Sequence, residues 1–427
     1  MRVSSKTCVM VLTALMLVIS SLAVAGCDGN NDNGTNGKKT GAPDSITITI
    51  GNLTDVTGPA ANAMSVIDMA VEDVARYYNE NNLIPGVELK VIEYDTQYDP
   101  SRFIPGYQWL KEKGADLIWN ALPPGVTTLQ SEADKDQFPI YTATANVKPG
   151  EIDGSYIFCL AVAPTYEAYT LLKWLAENDP DFPTDRPARI GGAAWSDAYS
   201  NIWFKAAKDY CEAHPDQYEW TKGYLTDMKF VWDTEVHGLM DSDYVYVPIP
   251  PQTFVKSYRQ AGGEGKFIST EPGAAFLGLI DKMGLWEEFD GSIYVLSTSW
   301  YNEEGEIAEL MNQLLEDYHS PTEVNDIRIN GCGYRAVKQA LMICDIIKDT
   351  IDRVGIENFS REELVNTSVQ WSFDLDEIEN FQNFTETKRF SQNYYGIFEV
   401  VVDESRQPWE YMTRVSDPIW IPQVTQP

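Results

Sequence analysis

The sequence predicts an α/β protein with two lobes, each built on a parallel sheet. Strand patterns alternate with helical patterns of about 10 to 20 residues, which is typical of a parallel sheet covered by helices on both faces. This alternation restarts near Arg189, so a second lobe follows the first. The length of 427 residues also exceeds what one ordinary core holds.

The first strand–loop–helix unit spans Ser45 to Asn81. Ile46, Ile48 and Ile50 alternate with threonines, as in a β-strand. Ligands of such units bind outside the carboxyl ends of the strands, so residues 53–61 are expected to form one wall of a cleft. Apolar residues at spacings of three and four predict the helix that follows, with one face on the sheet: Met64, Ile67, Val71, Val74 and Tyr78.

The remaining elements are predicted in the same way along the chain. Two long helices near 303–318 and 333–354 follow the second lobe, and if they return to the first lobe the connection is a hinge with several crossings. The predicted strands are residues 87–94, 116–120, 138–142, 156–163, 189–194, 243–247, 266–270, 292–296 and 395–402. The other predicted helices are residues 101–113, 126–135, one beginning at Pro164, one ending at Ala213, and 252–261.

The amino terminus predicts export. Residues 1–26 combine Arg2 and Lys6 with an apolar run and small residues, which indicates a signal peptide. Val24-Ala25-Gly26-Cys27 resembles a bacterial lipobox, so Cys27 is the expected lipidation site, the alternative being an ordinary signal peptide with an incidental cysteine. The polar residues 27–44 predict a flexible tether. The expected location is the cell envelope, at the outer face of the membrane, periplasmic or extracellular.

Composition narrows the function classes. Without residues 1–26, which carry two basic residues, 30 basic residues stand against 64 acidic ones, a net charge of −34 that disfavours nucleic-acid binding. The acidity favours a soluble secreted surface, with divalent cations or a cationic partner as the alternative. Cysteine and histidine spacings show no metal-ligand pattern, and no cofactor is expected. The disulfide state stays open for Cys159, Cys211, Cys332 and Cys344.

An ordered set of short motifs carries a family resemblance over about residues 46–415. It includes Thr57-Gly-Pro-Ala-Ala61, Tyr94-Asp-Thr-Gln-Tyr-Asp-Pro100, Pro139-Ile-Tyr-Thr-Ala-Thr144 and Ser269-Thr-Glu271. With these the chain resembles the type I periplasmic binding proteins, specifically leucine/isoleucine/valine-binding-protein-like lipoproteins of ABC transporters. The resemblance implies two Rossmann-like lobes joined by a three-strand hinge. Lobe 1 is expected at 45–161 with 297–394, and lobe 2 at 162–296 with 395–427.

The resemblance also implies how an amino acid is held. Thr142 and Thr144 match the first-lobe groups that meet the ligand carboxylate, and Tyr199 matches an aromatic cover from the second lobe. Glu271 matches the acid that pairs with the ligand ammonium, which needs a counter-charge once desolvated. A solvated loop acid is the alternative for Glu271, and ordinary turn hydroxyls are the alternative for the threonines.

One segment departs from the family. Relatives commonly offer a serine after the third strand, whereas this chain has Leu122-Pro-Pro-Gly125, whose prolines donate no N–H. Gly125, Thr127 and Thr128 are the nearby candidates, because a helix N-terminus favours an anion. Trp119, Trp195 and Trp300 lie near strand ends and either line an apolar pocket or pack the core.

The sequence therefore predicts a binding protein and not an enzyme. No common catalytic motif is present. The expected function is capture of an amino acid or similar small molecule and its delivery to an ABC permease by a lipid-anchored monomer. The alternatives are a sensor domain without transport and an exported lipoprotein enzyme such as an amidohydrolase.

Overall fold

The computed structural model describes residues 45–144 and 146–427, apart from the side chain of Cys332. The predicted signal peptide, the tether and Cys27 lie outside the described residues. Within them the chain forms two large sheets with parallel cores covered by helices, and a separate two-stranded sheet, and this confirms the predicted α/β class.

The first sheet contains five parallel strands in the order β2-β1-β3-β4-β5. The α1 residues predicted to face the sheet are buried, except that Ile67 is partly exposed. The elements are β1 (Ile46–Thr54), α1 (Ala61–Glu80), β2 (Val87–Asp95), α2 (Pro100–Glu112), β3 (Leu117–Asn120), α3 (Pro124–Asp136), β4 (Ile140–Thr144) and β5 (Ile157–Val162).

The second sheet begins after the chain leaves β5. Its parallel part has the order β7-β6-β8-β9-β10. The elements are α4 (Pro164–Asn178), β6 (Ala188–Trp195), α5 (Ala198–Ala213), β7 (Tyr218–Thr226), α6 (Asp233–Gly238), β8 (Tyr244–Tyr246), α7 (Gln252–Gln260), β9 (Lys266–Thr270), α8 (Glu271–Ala274), α9 (Leu277–Met283), α10 (Trp286–Phe289) and β10 (Ile293–Leu296).

After β10 the chain returns to the side of the first sheet. His319 Nε2 and the hydroxyl of Tyr334 lie 2.7 and 2.6 Å from Asp73 Oδ2 on α1, and Ser368 Oγ lies 2.6 Å from the hydroxyl of Tyr141 on β4. The elements are α11 (Glu306–Tyr318), α12 (Pro321–Ile329), a 3-10 turn (Cys332–Ala336), α13 (Val337–Val354), a 3-10 turn (Ile356–Asn358), α14 (Arg361–Ser368), β11 (Ser372–Leu375) and β12 (Ile378–Asn383).

The tail crosses back to the second sheet. There β13 (Tyr394–Val400) runs antiparallel between β10 and β14 (Met412–Arg414), and β15 (Ile421–Pro422) pairs with its start. A 3-10 turn (Pro408–Glu410) precedes β14. The chain thus passes between the sheets three times. The exact lobe boundaries stay a prediction, because the strand order shows which strands share a sheet and does not show which residues move together as a lobe.

Several elements differ from the sequence prediction. β4 begins at Ile140 and not at Phe138, and the first turn of the predicted helix at 333 is 3-10. β7 was not predicted, because this edge strand is only partly buried and lacks a regular alternation of apolar and polar residues. The β11–β12 hairpin was not predicted either, because its two-residue turn is Asp376-Glu377 and not a glycine-containing pair.

Candidate functional site

A cavity of about 160 Å³ lies where the carboxyl ends of strands from both sheets meet. Thr144 ends β4 and Trp195 ends β6, while Glu271 follows β9 directly. Open α/β sheets bind ligands at this edge, where loops and helix starts converge. An engineered cavity of about 150 Å³ holds one benzene molecule, so this one suits a ligand of about one ring or one branched side chain.

Most of the cavity wall is apolar. The first-lobe wall includes Ala60 and Ala63 at the start of α1, and Leu122 and Pro123 before α3. The opposite wall includes Ile249, Pro250, Ala275 and Phe276. Residues 53–61 were predicted to wall a cleft, and Pro59 and Ala60 of this loop contribute to the lining.

Two oppositely charged side chains lie together in this lining. Glu271 Oε1 is 3.7 Å from Arg335 Nη2, and Glu271 Oε2 accepts a hydrogen bond of 2.5 Å from the backbone N–H of Ser297. Both residues are buried. Arg335 comes from the 3-10 turn before α13, which packs against α1. The pair therefore joins the end of a second-sheet strand to a segment on the first-sheet side.

Tyr199 lines the cavity, and its hydroxyl lies in a buried polar network. It donates to Glu167 and lies 3.1 Å from Thr270 Oγ1. Glu167 Oε1 also accepts from the N–H of Glu271 at 3.2 Å. Burial raises the pKa of Glu167 well above its usual range. The network fixes the orientation of Tyr199 and of the backbone that carries Glu271.

The two predicted threonines differ in position. Thr144 lines the cavity, and its buried hydroxyl has no hydrogen-bond partner among the described residues. Thr142 does not line it. The Thr142 hydroxyl donates to the carbonyl of Thr144 at 2.6 Å and lies 3.4 Å from Asn120 Nδ2. Thr142 thus holds the end of β4, and Thr144 faces the ligand space.

Gly125 and Thr127 are likewise outside the cavity lining. A Cβ added at Gly125 would lie 2.5 Å from Asn120 Nδ2, so this glycine permits close packing on β3. The N–H of Thr127 donates to Asn146 Oδ1 at 3.3 Å. The N–H groups in the first turn of α3 are therefore hydrogen-bonded within the protein.

Trp195 is the one of the three tryptophans that lines the cavity. Its Nε1 donates to the carbonyl of Lys229 at 2.8 Å, and its ring meets Phe230 edge-on at 5.4 Å. Trp119 is fully buried in β3. Trp300 is buried as well and donates to the carbonyl of Trp409 at 2.7 Å. Trp119 and Trp300 therefore pack in the core and do not line the cavity.

Sequence reasoning did not single out Arg335, Tyr98, Asp197 or Gln339, all of which line the cavity. Tyr98 follows Gln97, and both have left-handed backbones with φ of 54° and 55°. Such conformations cost about 1 to 2 kcal/mol each and concentrate at functional sites. The Tyr94–Pro100 motif was the available signal for Tyr98. Arg335 stood in a stretch predicted only as a helix packed on the core.

Neither a metal site nor a membrane span emerges from the described part of the chain. No group of three or more His, Cys, Asp or Glu side chains there could hold a metal ion. No helix in residues 45–144 or 146–427 is long and apolar enough to cross a membrane. Cys159, Cys211 and Cys344 are buried free thiols.

Comparison with known proteins supports the same fold and gives a family match for part of the chain. Residues 47–185 match the family model described as periplasmic binding protein. No curated protein matches the sequence. A branched-chain amino acid ABC transporter protein from Thermus thermophilus with bound valine superposes with a TM-score of 0.73 at 15% identity, over 90% of this chain and 97% of that one.

Two further solved structures show the same fold with other ligands in their descriptions. A fatty acid ABC transporter substrate-binding protein from Thermomonospora curvata has a TM-score of 0.71 at 15% identity, covering 88% of this chain and 93% of its own. A solute-binding protein from R. palustris in complex with 4-hydroxybenzoate has a TM-score of 0.69 at 14% identity, covering 89% and 98%.

The fold is therefore that of the type I periplasmic binding proteins. The family model places residues 47–185, the first five strands and the start of the second lobe, among the periplasmic binding proteins. The fold that the resemblance implied is confirmed.

Proposed function

We propose that this protein is an extracytoplasmic solute-binding lipoprotein that captures a small apolar amino acid and delivers it to an ABC permease. The observation that carries the proposal is the Glu271–Arg335 pair in a largely apolar cavity between the sheets. A carboxylate in a desolvated pocket is the natural partner of a ligand ammonium. The apolar wall then receives the side chain.

A ligand that contacts both lobes favours closure of the cleft between them. A ligand that touches Thr144 on the first sheet and Glu271 after the second binds the closed arrangement more tightly than the open one. Solved proteins of this fold are described as ABC transporter binding proteins, which supports transport as the role. A sensor without transport would use the same cavity, and only the permease partner separates the two.

The test is calorimetric titration of valine, leucine and phenylalanine into wild type and Glu271→Gln. The glutamine keeps an oxygen for the Ser297 N–H but loses the charge that faces the ammonium. We expect affinity to fall by about thirtyfold to several thousandfold, since truncating one partner of a buried charge pair costs about 2 to 5 kcal/mol.

The matched control is Glu264→Gln, at an exposed position in the loop that precedes β9. It should bind like wild type. Native mass spectrometry of freshly purified protein shows which molecule it carries. If wild type binds no small molecule in either experiment, the proposed function is wrong.

A further inference from the structure

We propose that Arg335 is the anchor for the ligand carboxylate, which limits the ligand to zwitterionic amino acids with a small apolar side chain. The inference rests on the proposed function. It names the residue that binds the ligand carboxylate, which the family resemblance left open. It arises from the unpaired N–H groups of this one buried guanidinium.

Arg335 is 1% exposed and only partly satisfied. Its Nη2 donates to the carbonyl of Thr298 and faces Glu271. Its Nε and Nη1, which carry three of the five N–H groups of a guanidinium, have no hydrogen-bond partner within the described residues. Leaving a buried charged donor unpaired is costly, so a site of this kind gains much from a partner.

Nη1 carries two of these N–H groups, and a carboxylate oxygen accepts a charge-assisted hydrogen bond from either of them. The Nε–H points away from Nη1, so these two nitrogens act as separate donors and not as one bidentate fork. Arg335 and the unpartnered hydroxyl of Thr144 both line the same cavity. Together they offer donors from two elements to one anion.

The starts of α1 and α3, both near the cavity, do not offer a competing anion site. At the loop before α1, the carboxylate of Asp55 accepts from the N–H groups of Gly58 and Ala60 at 2.5 and 2.7 Å. At α3, the Thr127 N–H is bound to Asn146. Arg335 is thus the cation of the lining, since the other charged lining residues are Glu271 and Asp197.

The position of Glu271 determines whether the cavity favours an amino acid or a carboxylic acid without an amino group. A simple carboxylate on Arg335 would share one guanidinium with Glu271, which lies 3.7 Å from it, and the two anions would repel. An α-ammonium beside the ligand carboxylate relieves that repulsion by facing Glu271, whose carboxylate has several lone-pair sites. Side-by-side opposite charges on the protein therefore match the zwitterion.

The experiment combines variants of Arg335 with ligands that lack one charge. Wild type, Arg335→Gln and Arg335→Lys are titrated with leucine, with leucinamide, which lacks the carboxylate, and with 4-methylpentanoate, which lacks the ammonium. On wild type we expect both analogues to bind at least about thirtyfold more weakly than leucine. Arg335→Gln should lose a similar factor for leucine and should no longer distinguish leucine from leucinamide.

The control is Arg328→Gln. Arg328 also has a buried Nε without a partner among the described residues, but it does not line the cavity and packs over Trp409 instead. It should bind leucine like wild type. Thermal unfolding of each variant shows which ones are folded, and the ligand analogues test the wild type whether or not the variants fold.

Different results separate the inference from the proposed function. If wild type binds leucine and leucinamide equally, or if Arg335→Gln binds leucine like wild type, the carboxylate anchor is wrong although the binding function stands. If 4-methylpentanoate binds as tightly as leucine, the zwitterion requirement is wrong. If wild type binds no ligand and native mass spectrometry finds none, the proposed function itself fails.

Discussion

At the scale of single residues, Asp68 has the most informative titration in the structure. It lies on α1, where its two oxygens accept from Asn52 Nδ2 at 2.8 Å and Thr54 Oγ1 at 2.6 Å. Burial, together with the nearby charges of Glu93 and Glu72, raises its pKa to about 7 despite these hydrogen bonds. In the folded protein the side chain of Asp68 is therefore mostly protonated below about pH 7.

The sign of the pH effect follows from linkage. An unfolded Asp titrates near pH 3.9, so between about pH 4 and pH 7 the folded state holds more protons at Asp68 than the unfolded state. The free energy of unfolding should fall as pH rises through this window, by about 2 to 4 kcal/mol after allowance for partial solvent contact. Asp68→Asn should remove this slope and be the more stable protein above pH 7.

Urea unfolding of wild type and Asp68→Asn at pH 4 and pH 8 measures the effect. Asp153→Asn, at an exposed position, is the control and should keep the wild-type slope. An Asp68→Asn variant whose stability falls between the two pH values as much as that of wild type contradicts the assignment.

The sequence identified some residues of the cavity lining and missed others. Glu271, Thr144, Tyr199 and Trp195 were named from motifs and strand ends, and all four line the cavity. Arg335 could not be named, because its role depends on a 3-10 turn that packs against α1 from far along the chain. No local pattern distinguishes such an arginine from a surface one.

At the scale of elements, regular periodicity was a reliable guide and edge geometry was not. The first helix and β9 follow patterns that the sequence displays directly. β7 and the β11–β12 hairpin depend on exposure and on backbone angles that residue types do not determine. In that hairpin Asp376 and Glu377 have φ of 49° and 66°, although glutamate is poorly suited to the left-handed region.

Replacing Glu377 by glycine should therefore stabilise the hairpin. Asp-Gly is a preferred pair for a two-residue turn, and glycine removes the steric cost of a positive φ. Asp376 is kept because its Oδ2 accepts from Trp420 Nε1 at 2.8 Å. We expect the free energy of unfolding to rise by up to about 1 kcal/mol, less the entropy that glycine adds to the unfolded chain.

Chemical unfolding compares Glu377→Gly with Glu379→Gly. Glu379 lies on the strand β12 and is exposed, so glycine there should lower the free energy of unfolding by about 0.5 to 1 kcal/mol. Equal destabilisation by both glycines would show that the turn carries no strain.

At the scale of the whole molecule, the proposed membrane anchor depends on Cys27, outside the described residues. Because Val24-Ala25-Gly26-Cys27 resembles a lipobox, Cys27→Ser should release the protein from the membrane fraction. Cell fractionation without detergent measures it, and Cys8→Ser in the leader is the control that should stay membrane-bound. Retention of Cys27→Ser in the membrane fraction would refute the anchor.

The three passages between the sheets are tied by two buried glutamines. Gln382 Nε2 donates to the carbonyl of Leu160 at 2.6 Å and also to the side chain of Gln392. Gln392 Nε2 in turn lies 3.4 Å from the carbonyl of Ser297 and donates to the carbonyl of Tyr394. Each passage therefore contributes a backbone carbonyl to one network, which makes the proposed hinge a connected unit.

Gln392→Met should weaken both sheets together. The change leaves the carbonyls of Ser297 and Tyr394 and the side chain of Gln382 without this donor or acceptor, which costs about 1 to 3 kcal/mol for buried groups. Since the lost bonds belong to passages that leave both sheets, hydrogen exchange of β4 and β9 should accelerate by similar factors. Gln370→Met, at an exposed position, should change neither. If only one of the two strands exchanges faster, the glutamines stabilise a single sheet, and the stiffness of the hinge must come from the packing of the strands themselves.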